Sequence, residues 1–414
     1  MNTSILREHA KIIYEGAINK SLPDSIVKSA LNELPQYSGK LILVAIGKAG
    51  YQMAKVAASI LGDKIDSGIV ITKYDHVKGE IDRVKCYEAG HPVLDENSLF
   101  ATREALKLTS NLTKDDLVLF LVSGGGSALF EDTDCSLGEL QALNKALLES
   151  GADISEINTI RKRISNVKGG RFAEHCSPAT VFCVMISDVV GDKVEMIASG
   201  PACVDNASTE YALEILKKYN ITISERMLEL VKREAPKKLD NVISRVAGGT
   251  VQLAKNAKKI ASELGYKAVI VADNITCEAR KLGREIAKTA ELNKDTKEPL
   301  AFIYTGETVV YIKGNGMGGR NQEIALSACQ YIKEIDNCVI FSVGTDGTDG
   351  PTDAAGGICD HKTYERIANS GKSPEEYLKN NDSYTALSYA NDLIITGPTG
   401  TNVNDLAVLL VRPK

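Results

Sequence analysis

Short apolar segments alternate along the chain with longer stretches in which apolar and polar positions follow a helical period. Several of the short segments are apolar throughout, which is typical of parallel strands covered on both faces. A strand followed by a helix, repeated along the chain, predicts an α/β protein. The predicted strands are Leu41–Ile46, Gly68–Lys73, Leu117–Val122, Val181–Ser187, Ala268–Ala272, Leu300–Tyr304, Thr308–Lys313, Cys338–Val343 and Leu393–Thr396. The predicted helices include Ser98–Leu108, Leu137–Leu148, Ala207–Tyr219, Thr250–Leu264 and Asn321–Ile332.

Two features of this pattern bear on its organisation. The strands Leu300–Tyr304 and Thr308–Lys313 are separated only by Thr305-Gly306-Glu307, which predicts an antiparallel hairpin and therefore one mixed sheet. A charged stretch around Pro236 interrupts a helical pattern, and we place a domain boundary there, after residue 238.

Composition narrows the class of protein. The 414 residues carry 49 Lys and Arg against 54 Asp and Glu, so neither a nucleic-acid-binding surface nor an acidic tail is expected. No apolar run approaches the ~18 residues that cross a bilayer, and the first residues do not resemble a signal peptide. The nine Cys form no C-x-x-C pair, which is typical of reduced thiols and predicts a cytoplasmic protein.

Glycine is concentrated directly after the predicted strands. In open α/β sheets, ligands bind just beyond the carboxyl ends of the strands. Glycine there lets backbone N–H groups approach an anion closely. Several such loops in one chain favour an anionic ligand with several charged parts.

The clearest loop is Ser123-Gly124-Gly125-Gly126-Ser127, which follows a fully apolar strand. It predicts a cradle for phosphate or carboxylate, although the Walker A pattern is absent and a flexible turn is the alternative. Lys48 follows another strand end, where its ammonium group would neutralise phosphate or carboxylate charge. The alternative for Lys48 is an ordinary surface lysine.

A second glycine-rich loop, Gly314–Gly319, contains G-x-G-x-x-G and is followed by Arg320 and Asn321. The pattern partly fits a dinucleotide loop, but the strand before it is the second arm of the predicted hairpin. Arg320 and Asn321 favour a clamp on phosphate or carboxylate. A tight turn with a helix-capping Asn is the alternative.

Acidic residues follow two further strands. Asp346, Asp349 and Asp353 lie in a Gly- and Thr-rich loop, and such hard oxygen ligands suit Mg²⁺. A run of Asp-Gly turns would give the same pattern. Asp188 ends another strand and is a candidate general base or metal ligand. A basic stretch lies upstream of Asp188 and includes Asn166, Lys168 and Arg171. A nearby phosphate site would explain it, and so would a solvated helix.

Taken together, these motifs resemble the class II glycerate kinase family, whose C-terminal half is the MOFRL domain. The resemblance runs in order along nearly the whole chain. It is carried by Gly47-Lys48-Ala49, residues 90–98 (GHPVLDENS), Ser123–Ala128, residues 186–192 (ISDVVGD), residues 197–201 (IASGP), residues 318–323 (GGRNQE) and residues 344–350 (GTDGTDG). One departure is Leu94, where the family usually has Pro, and we expect a changed turn at most.

The resemblance implies phosphorylation of D-glycerate, generally at the 2-hydroxyl, with ATP and with Mg²⁺ or another divalent cation. It implies two α/β domains, a Rossmann-like doubly wound sheet in residues 1–238 and a smaller mixed-sheet domain in residues 239–414, with the active site in the cleft between them. The partners would be small molecules, with no nucleic acid and no membrane, for a monomer or a homodimer.

On this hypothesis each candidate residue receives a role. The loop Ser123–Ser127 binds the nucleotide phosphates, with Asn166, Lys168 and Arg171 nearby. Lys48 and Arg320 stabilise the transferring group and the glycerate carboxylate, and Asn321 binds substrate. Asp188 accepts the hydroxyl proton or holds metal. Further metal or substrate ligands are Asp346, Asp349 and Asp353.

Two other functions remain open at this point. An NAD(P)H-dependent hydroxypyruvate reductase would use Gly314–Gly319 as a dinucleotide loop, but the acidic ribose ligand expected about 20 residues further on is not evident. A non-catalytic binding protein for phosphorylated ligands would leave the concentration of Asp beside the glycine loops unexplained.

Overall fold

The computed structural model describes residues 2–187 and 189–414. The described strands are β1 (Leu41–Ile46), β2 (Ser67–Lys73), β3 (Val84–Ala89), β4 (Leu117–Val122), β5 (Thr180–Ile186), β6 (Val242–Gly248), β7 (Lys267–Ile275), β8 (Leu300–Gly306), β9 (Cys338–Gly344), β10 (Gly356–Cys359), β11 (Leu393–Ile394) and β12 (Asp405–Val411). The described α-helices are α1 (Asn2–Lys20), α2 (Pro23–Leu31), α3 (Gly50–Leu61), α4 (Glu96–Leu108), α5 (Gly126–Leu129), α6 (Leu137–Glu149), α7 (Ile154–Ile164), α8 (Arg171–His175), α9 (Thr209–Lys218), α10 (Glu225–Lys232), α11 (Thr250–Glu263), α12 (Ala279–Asn293), α13 (Arg320–Cys329), α14 (Thr363–Ala368), α15 (Pro374–Lys379) and α16 (Ser383–Ala390).

These elements form two compact units. We call residues 26–187 and 193–247 the parallel-sheet unit, and residues 2–25, 189–192 and 248–414 the mixed-sheet unit. Each unit contains most or all of one six-stranded sheet.

The parallel-sheet unit has the strand order β3-β2-β1-β4-β5-β6, and β1 to β5 pair in parallel. This is the order of a Rossmann-like doubly wound sheet, which confirms the expected fold class. Every residue of β1 and β4 is buried, as expected for parallel strands covered on both faces. Both strands have the bounds that the sequence pattern predicts.

The mixed-sheet unit has the strand order β11-β10-β9-β12-β8-β7. Strands β7 and β8 pair in parallel, whereas β12 lies antiparallel between β8 and β9. The sheet is therefore mixed, as expected.

The predicted hairpin is wrong, however. Residues 308–313 form no strand beyond an isolated bridge at Val309, because β7 and β12 already occupy the two edges of β8. Tyr311 and Ile312 are left largely exposed.

The first helix belongs to the mixed-sheet unit, although it precedes the parallel sheet in sequence. The ring of Tyr14 on α1 packs against Phe341 of β9 with the ring centroids 5.6 Å apart. On the same helix, the Arg7 guanidinium donates to Asp360 at 2.6 Å and to Asp392 at 2.8 Å. The division of the chain thus differs from the boundary after residue 238, since α1 joins the second unit and β6 extends the first sheet.

Among the helices that the structure describes, none combines the length and the apolar character needed to span a bilayer.

The ion pairs of Arg7 predict that α1 stabilises the mixed-sheet unit. Arg7→Ala leaves two nearly buried carboxylates with Arg366 as their remaining cation. We expect the free energy of unfolding to fall by about 2 kcal/mol, the usual value of hydrogen bonds to charged groups. Urea denaturation followed by circular dichroism measures this loss. Lys11→Ala is the matched control, because Lys11 is exposed on the same helix, and an equal effect of both variants would contradict the anchoring role.

Candidate functional site

The candidate site in the parallel-sheet unit lies where the strand order reverses. Strands β1 and β4 are neighbours in the sheet, and their last residues, Ile46 and Val122, are directly paired. Strand β1 continues into the loop that contains Lys48, and β4 continues into the loop Ser123–Ser127. Ligands of open α/β sheets bind at this kind of position, between two loops that leave neighbouring strands in opposite directions.

The Ser123 hydroxyl joins the two loops. Its Oγ donates to the Ile46 carbonyl at 3.0 Å and accepts the Ala49 N–H at 3.0 Å. The backbone N–H of Lys48 donates to the Gly124 carbonyl at 2.9 Å. These bonds fix the half-buried Lys48 beside the glycine loop.

Gly125 is one position in this loop where a side chain is not tolerated. Its φ of +85° is in the left-handed region. A Cβ there would lie 2.9 Å from the ring of His91 and 3.2 Å from Cγ of Lys48. Lys48, Gly125 and His91 therefore meet at one place, with the start of α5 directly after them.

A strained turn supports the other end of the loop. The Ser127 and Ser199 hydroxyls lie 3.0 Å apart, and Ser199 Oγ donates to Asn158 Oδ1 at 3.1 Å. Ala198 and Ser199 have φ values of +50° and +60°, which are unfavourable for residues with a side chain. Such strain is concentrated at functional sites.

The predicted residues of the basic stretch after α7 bind other groups of the protein than the loop Ser123–Ser127. The Lys168 ammonium is fully buried and pairs with Glu131. Arg171 donates to the backbone carbonyls of Lys162 at 2.7 Å and Lys168 at 3.3 Å. The amide of Asn166 binds Asp132 at 2.9 Å. The observed contacts give these three residues structural roles. Their direct contact with phosphate stays a prediction.

In the mixed-sheet unit, Arg320 is the first residue of α13 and is held by two carboxylates. Its Nε donates to Asp405 at 2.6 Å, its Nη2 to the same carboxylate at 3.1 Å, and its Nη1 to Glu307 at 2.8 Å. Burial alone would lower the pKa of Arg320, but Asp405 and Glu307 outweigh it and raise that pKa above its ordinary value. The guanidinium is thus always charged and fixed in direction, with a third of the side chain exposed.

Asn321 and Asp349 are buried beside Arg320. The Asp349 carboxylate accepts the backbone N–H of Asn321 at 3.1 Å and that of Gln322 at 2.9 Å, which caps the N-terminus of α13. The Asn321 Oδ1 accepts the Ser342 hydroxyl at 2.6 Å. Burial raises the pKa of Asp349 to about 7, against the opposing effect of the two N–H donors.

The glycines of Gly314–Gly319 are explained by packing within the protein. A Cβ on any of the four would lie between 2.1 and 2.4 Å from an atom of Asp349 or of residues 380–383. The loop also follows no strand of the sheet. A dinucleotide fingerprint needs a strand before the loop and glycines that make room for pyrophosphate, so this loop does not fit one.

The three Asp residues proposed for metal do not converge. Asp349 caps α13, Asp346 accepts the Thr348 N–H at 3.0 Å, and the exposed Asp353 accepts the Tyr384 hydroxyl at 2.7 Å. Over residues 2–187 and 189–414, no three His, Cys, Asp or Glu side chains are grouped to hold a metal ion. Asp188, the remaining candidate, lies outside the described residues. The described carboxylates therefore form no cluster of three ligands, and because Mg²⁺ is often held by one or two carboxylates together with substrate phosphates, its binding by Asp188, Asp346, Asp349 or Asp353 stays a prediction.

A cavity of about 630 Å³ adjoins Arg320 in the mixed-sheet unit. Glu307 and Thr308 line it, and the buried Thr308 hydroxyl has no hydrogen-bond partner. A ligand with hydroxyl and carboxylate groups would satisfy both Thr308 and Arg320.

Sequence reasoning missed three residues that shape these sites. Asp405 and Glu307 orient Arg320, but each is an isolated acidic residue in the sequence and gives no local signal. His91 lies in the 90–98 motif that carries part of the family resemblance, but the sequence assigns it no role. In the structure it lies against the glycine loop.

Two family models match the chain. Residues 9–232 match a domain of unknown function, DUF4147, and residues 300–405 match the MOFRL family. Together they cover most of both units.

Relatives and solved structures are similar over nearly the whole chain. A D-glycerate 2-kinase from Thermotoga maritima is 49% identical over 412 residues, covering 98% of each chain. A glycerate 2-kinase from Pyrococcus horikoshii is 40% identical over 399 residues, covering 92% of this chain and 89% of the relative. The crystal structure of a glycerate kinase from Thermotoga maritima superposes with a TM-score of 0.92 at 49% identity, covering 99% of this chain and all of that one. A crystal structure from Pyrococcus horikoshii OT3 gives a TM-score of 0.93 at 37% identity, covering 99% of both.

The buried pair of Lys168 and Glu131 gives a test of whether Lys168 is structural. Lys168→Ala should lower the free energy of unfolding by about 3–5 kcal/mol, because it leaves a buried carboxylate without its cation. Denaturant unfolding measures the loss, and Lys107→Ala, at an exposed ion pair of the same unit, should change stability by less than about 0.5 kcal/mol. Unchanged stability of Lys168→Ala would refute the structural role.

The raised pKa of Asp349 predicts a pH-dependent stability. Between pH 3.8 and about 7 the folded protein retains a proton that the unfolded chain releases, so this contribution is complete below pH 3.8 and is lost as the pH rises towards 7. Asp349→Asn does not titrate. Its free energy of unfolding relative to the unsubstituted protein should therefore rise by about 2–3 kcal/mol from pH 5 to pH 8. Denaturant titrations at the two pH values measure it, and parallel profiles would mean that Asp349 is ionised throughout.

Proposed function

The chain belongs to the glycerate kinase family with a C-terminal MOFRL domain, and on that premise we propose that it transfers the γ-phosphoryl group of ATP to the 2-hydroxyl of D-glycerate. The products are 2-phosphoglycerate and ADP.

One observation supports this proposal most strongly. A lysine and a glycine-rich loop leave adjacent parallel strands at the point where the strand order reverses, and Ser123 joins them. Backbone N–H groups at the start of a helix together with an ammonium group suit a chain of phosphates. Phosphoryl transfer depends mainly on such positioning and charge stabilisation.

In the proposed reaction, the 2-hydroxyl oxygen attacks the γ-phosphorus while the bond from that phosphorus to the bridging oxygen of ADP breaks. Ser123–Ser127 holds the phosphates, and Lys48 stabilises charge on the transferring group. Asp188 accepts the hydroxyl proton. This assignment of Asp188 rests on the sequence motif alone.

Arg320 would hold the glycerate carboxylate or the transferring phosphoryl group. Three of its five N–H groups bind Asp405 and Glu307, which leaves two for substrate oxygens. The two carboxylates keep the guanidinium in one orientation, which lowers the entropic cost of binding substrate. The Asn321 side chain donates to Asp349 at 3.4 Å and accepts the Ser342 hydroxyl at 2.6 Å, so it helps to hold the start of α13, and its contact with substrate stays a prediction.

The reductase hypothesis loses its structural basis. It required Gly314–Gly319 as a dinucleotide loop, and those glycines are filled by contacts within the mixed-sheet unit. Purified protein with hydroxypyruvate and NADH or NADPH should leave the absorbance at 340 nm unchanged.

The direct test of the function is a coupled assay. With ATP, Mg²⁺ and D-glycerate, the product should be consumed by enolase without phosphoglycerate mutase. A product that enolase accepts only after mutase is added would move the transfer to the 3-hydroxyl. No ADP formation would refute the kinase.

Arg320 supplies a sharp prediction for this assay. Because an arginine on the transferring group contributes roughly 10³–10⁵ in rate, Arg320→Ala should lose at least about a thousandfold in kcat. Arg284→Ala, an exposed arginine on α12, is the matched control and should retain full activity. Circular dichroism checks that both variants fold. Retention of more than a tenth of the activity by Arg320→Ala would remove Arg320 from the reaction.

A further inference from the structure

The parallel-sheet unit contains a cavity of about 680 Å³ that extends from the glycine loop. Gly125 and Ser127 line it together with residues from the 91–94 segment and from α6. We call this space the loop cavity. Its volume is within the range of about 300–1,000 Å³ that is usual for small-molecule sites. D-glycerate, with three carbons, would leave most of it empty.

Apolar side chains line the loop cavity although water reaches them. Val93 is 65% exposed and Leu148 is 62% exposed, and both line the cavity. Pro92 and Ala128 add further apolar surface. Exposed apolar side chains that face a common cavity mark a surface that a ligand covers, and a flat aromatic group would bury them.

Two amide side chains give the cavity a polar edge. Gln141 Nε2 donates to the Leu94 carbonyl at 2.9 Å, and Asn144 Oδ1 accepts from Arg161 Nε at 2.8 Å. These bonds use the amide nitrogen of Gln141 and the amide oxygen of Asn144. The Gln141 oxygen is therefore the acceptor that a ligand would meet, and the Asn144 nitrogen is the donor. An acceptor and a donor together match the amino group and ring nitrogen of adenine.

The loop cavity also continues from the proposed phosphate site. A Cβ on Gly125 would lie 3.2 Å from Lys48 Cγ and 2.9 Å from the His91 ring, and His91 itself lines the cavity. A ligand whose phosphates lie on the glycine loop beside Lys48 would reach the loop cavity past His91.

We propose that the loop cavity binds the nucleoside part of ATP, with the adenine between Val93 and Leu148. This inference rests on the proposed function, since it takes ATP as the phosphoryl donor. It assigns nucleotide specificity to residues 91–94 and to α6.

Binding measurements on two variants test this assignment. Leu148→Ser and Val93→Ser remove apolar surface at exposed positions, so neither is expected to disturb folding. Each should raise the Kd of ADP about tenfold, as measured by titration calorimetry, because burying such a side chain against a ligand contributes about one factor of ten. Inorganic tripolyphosphate lacks the nucleoside, and its Kd should stay unchanged. Ile154→Ser is the matched control, since Ile154 is 58% exposed in the same unit and does not line the cavity.

The outcomes separate this inference from the function on which it rests. If both variants bind ADP as the unsubstituted protein does, the nucleoside lies elsewhere, whether or not the coupled assay shows a kinase. If ADP and tripolyphosphate are weakened equally, the variants disturb the glycine loop and the assignment is overturned. The inference also fails if the unsubstituted protein does not bind ADP. A kinase assay without product would refute the function alone, and the ADP measurements would still decide the ligand of the cavity.

Discussion

The hydrogen bonds of one serine hydroxyl hold together the proposed nucleotide site. Ser123 Oγ binds the end of β1 and the first residues after it, and so joins the two loops that leave adjacent parallel strands. Parallel strands place their carboxyl ends at one edge, but they do not by themselves hold the following loops together. With Ser123 fixed, Lys48, Gly125 and His91 meet at one place, and the loop cavity begins beside them.

In the mixed-sheet unit, the main constraint is the orientation of the Arg320 guanidinium. Asp405 and Glu307 hold the Arg320 guanidinium in one orientation. This arrangement buries Asp405 and much of the guanidinium. Burial raises the pKa of Asp405, and Arg320 opposes that rise. A buried ion pair contributes little net stability, so its value here is orientation. The same reasoning applies to Asp349, which stabilises the start of α13 while its ionised form is disfavoured.

Much of the fold could be predicted because buried parallel strands are apolar throughout and are followed by glycine. This is why β1 and β4 were predicted with their observed bounds, and why the loop of Lys48 and the loop Ser123–Ser127 were identified. Residues 308–313 have the same local character but form no strand, since whether an apolar segment pairs depends on which edges of the sheet are free. Four strands, β3, β6, β10 and β12, were not predicted. The direction of side chains could not be predicted from the sequence either, since nothing in the sequence indicates that Lys168 pairs with buried Glu131.

The proposed function requires the triphosphate to lie on the glycine loop beside Lys48. A crystal structure with a non-hydrolysable ATP analogue tests it most directly. We expect phosphate oxygens within hydrogen-bond distance of backbone N–H groups between Gly124 and Ser127, and of the Lys48 ammonium. Phosphates bound away from both loops would contradict it.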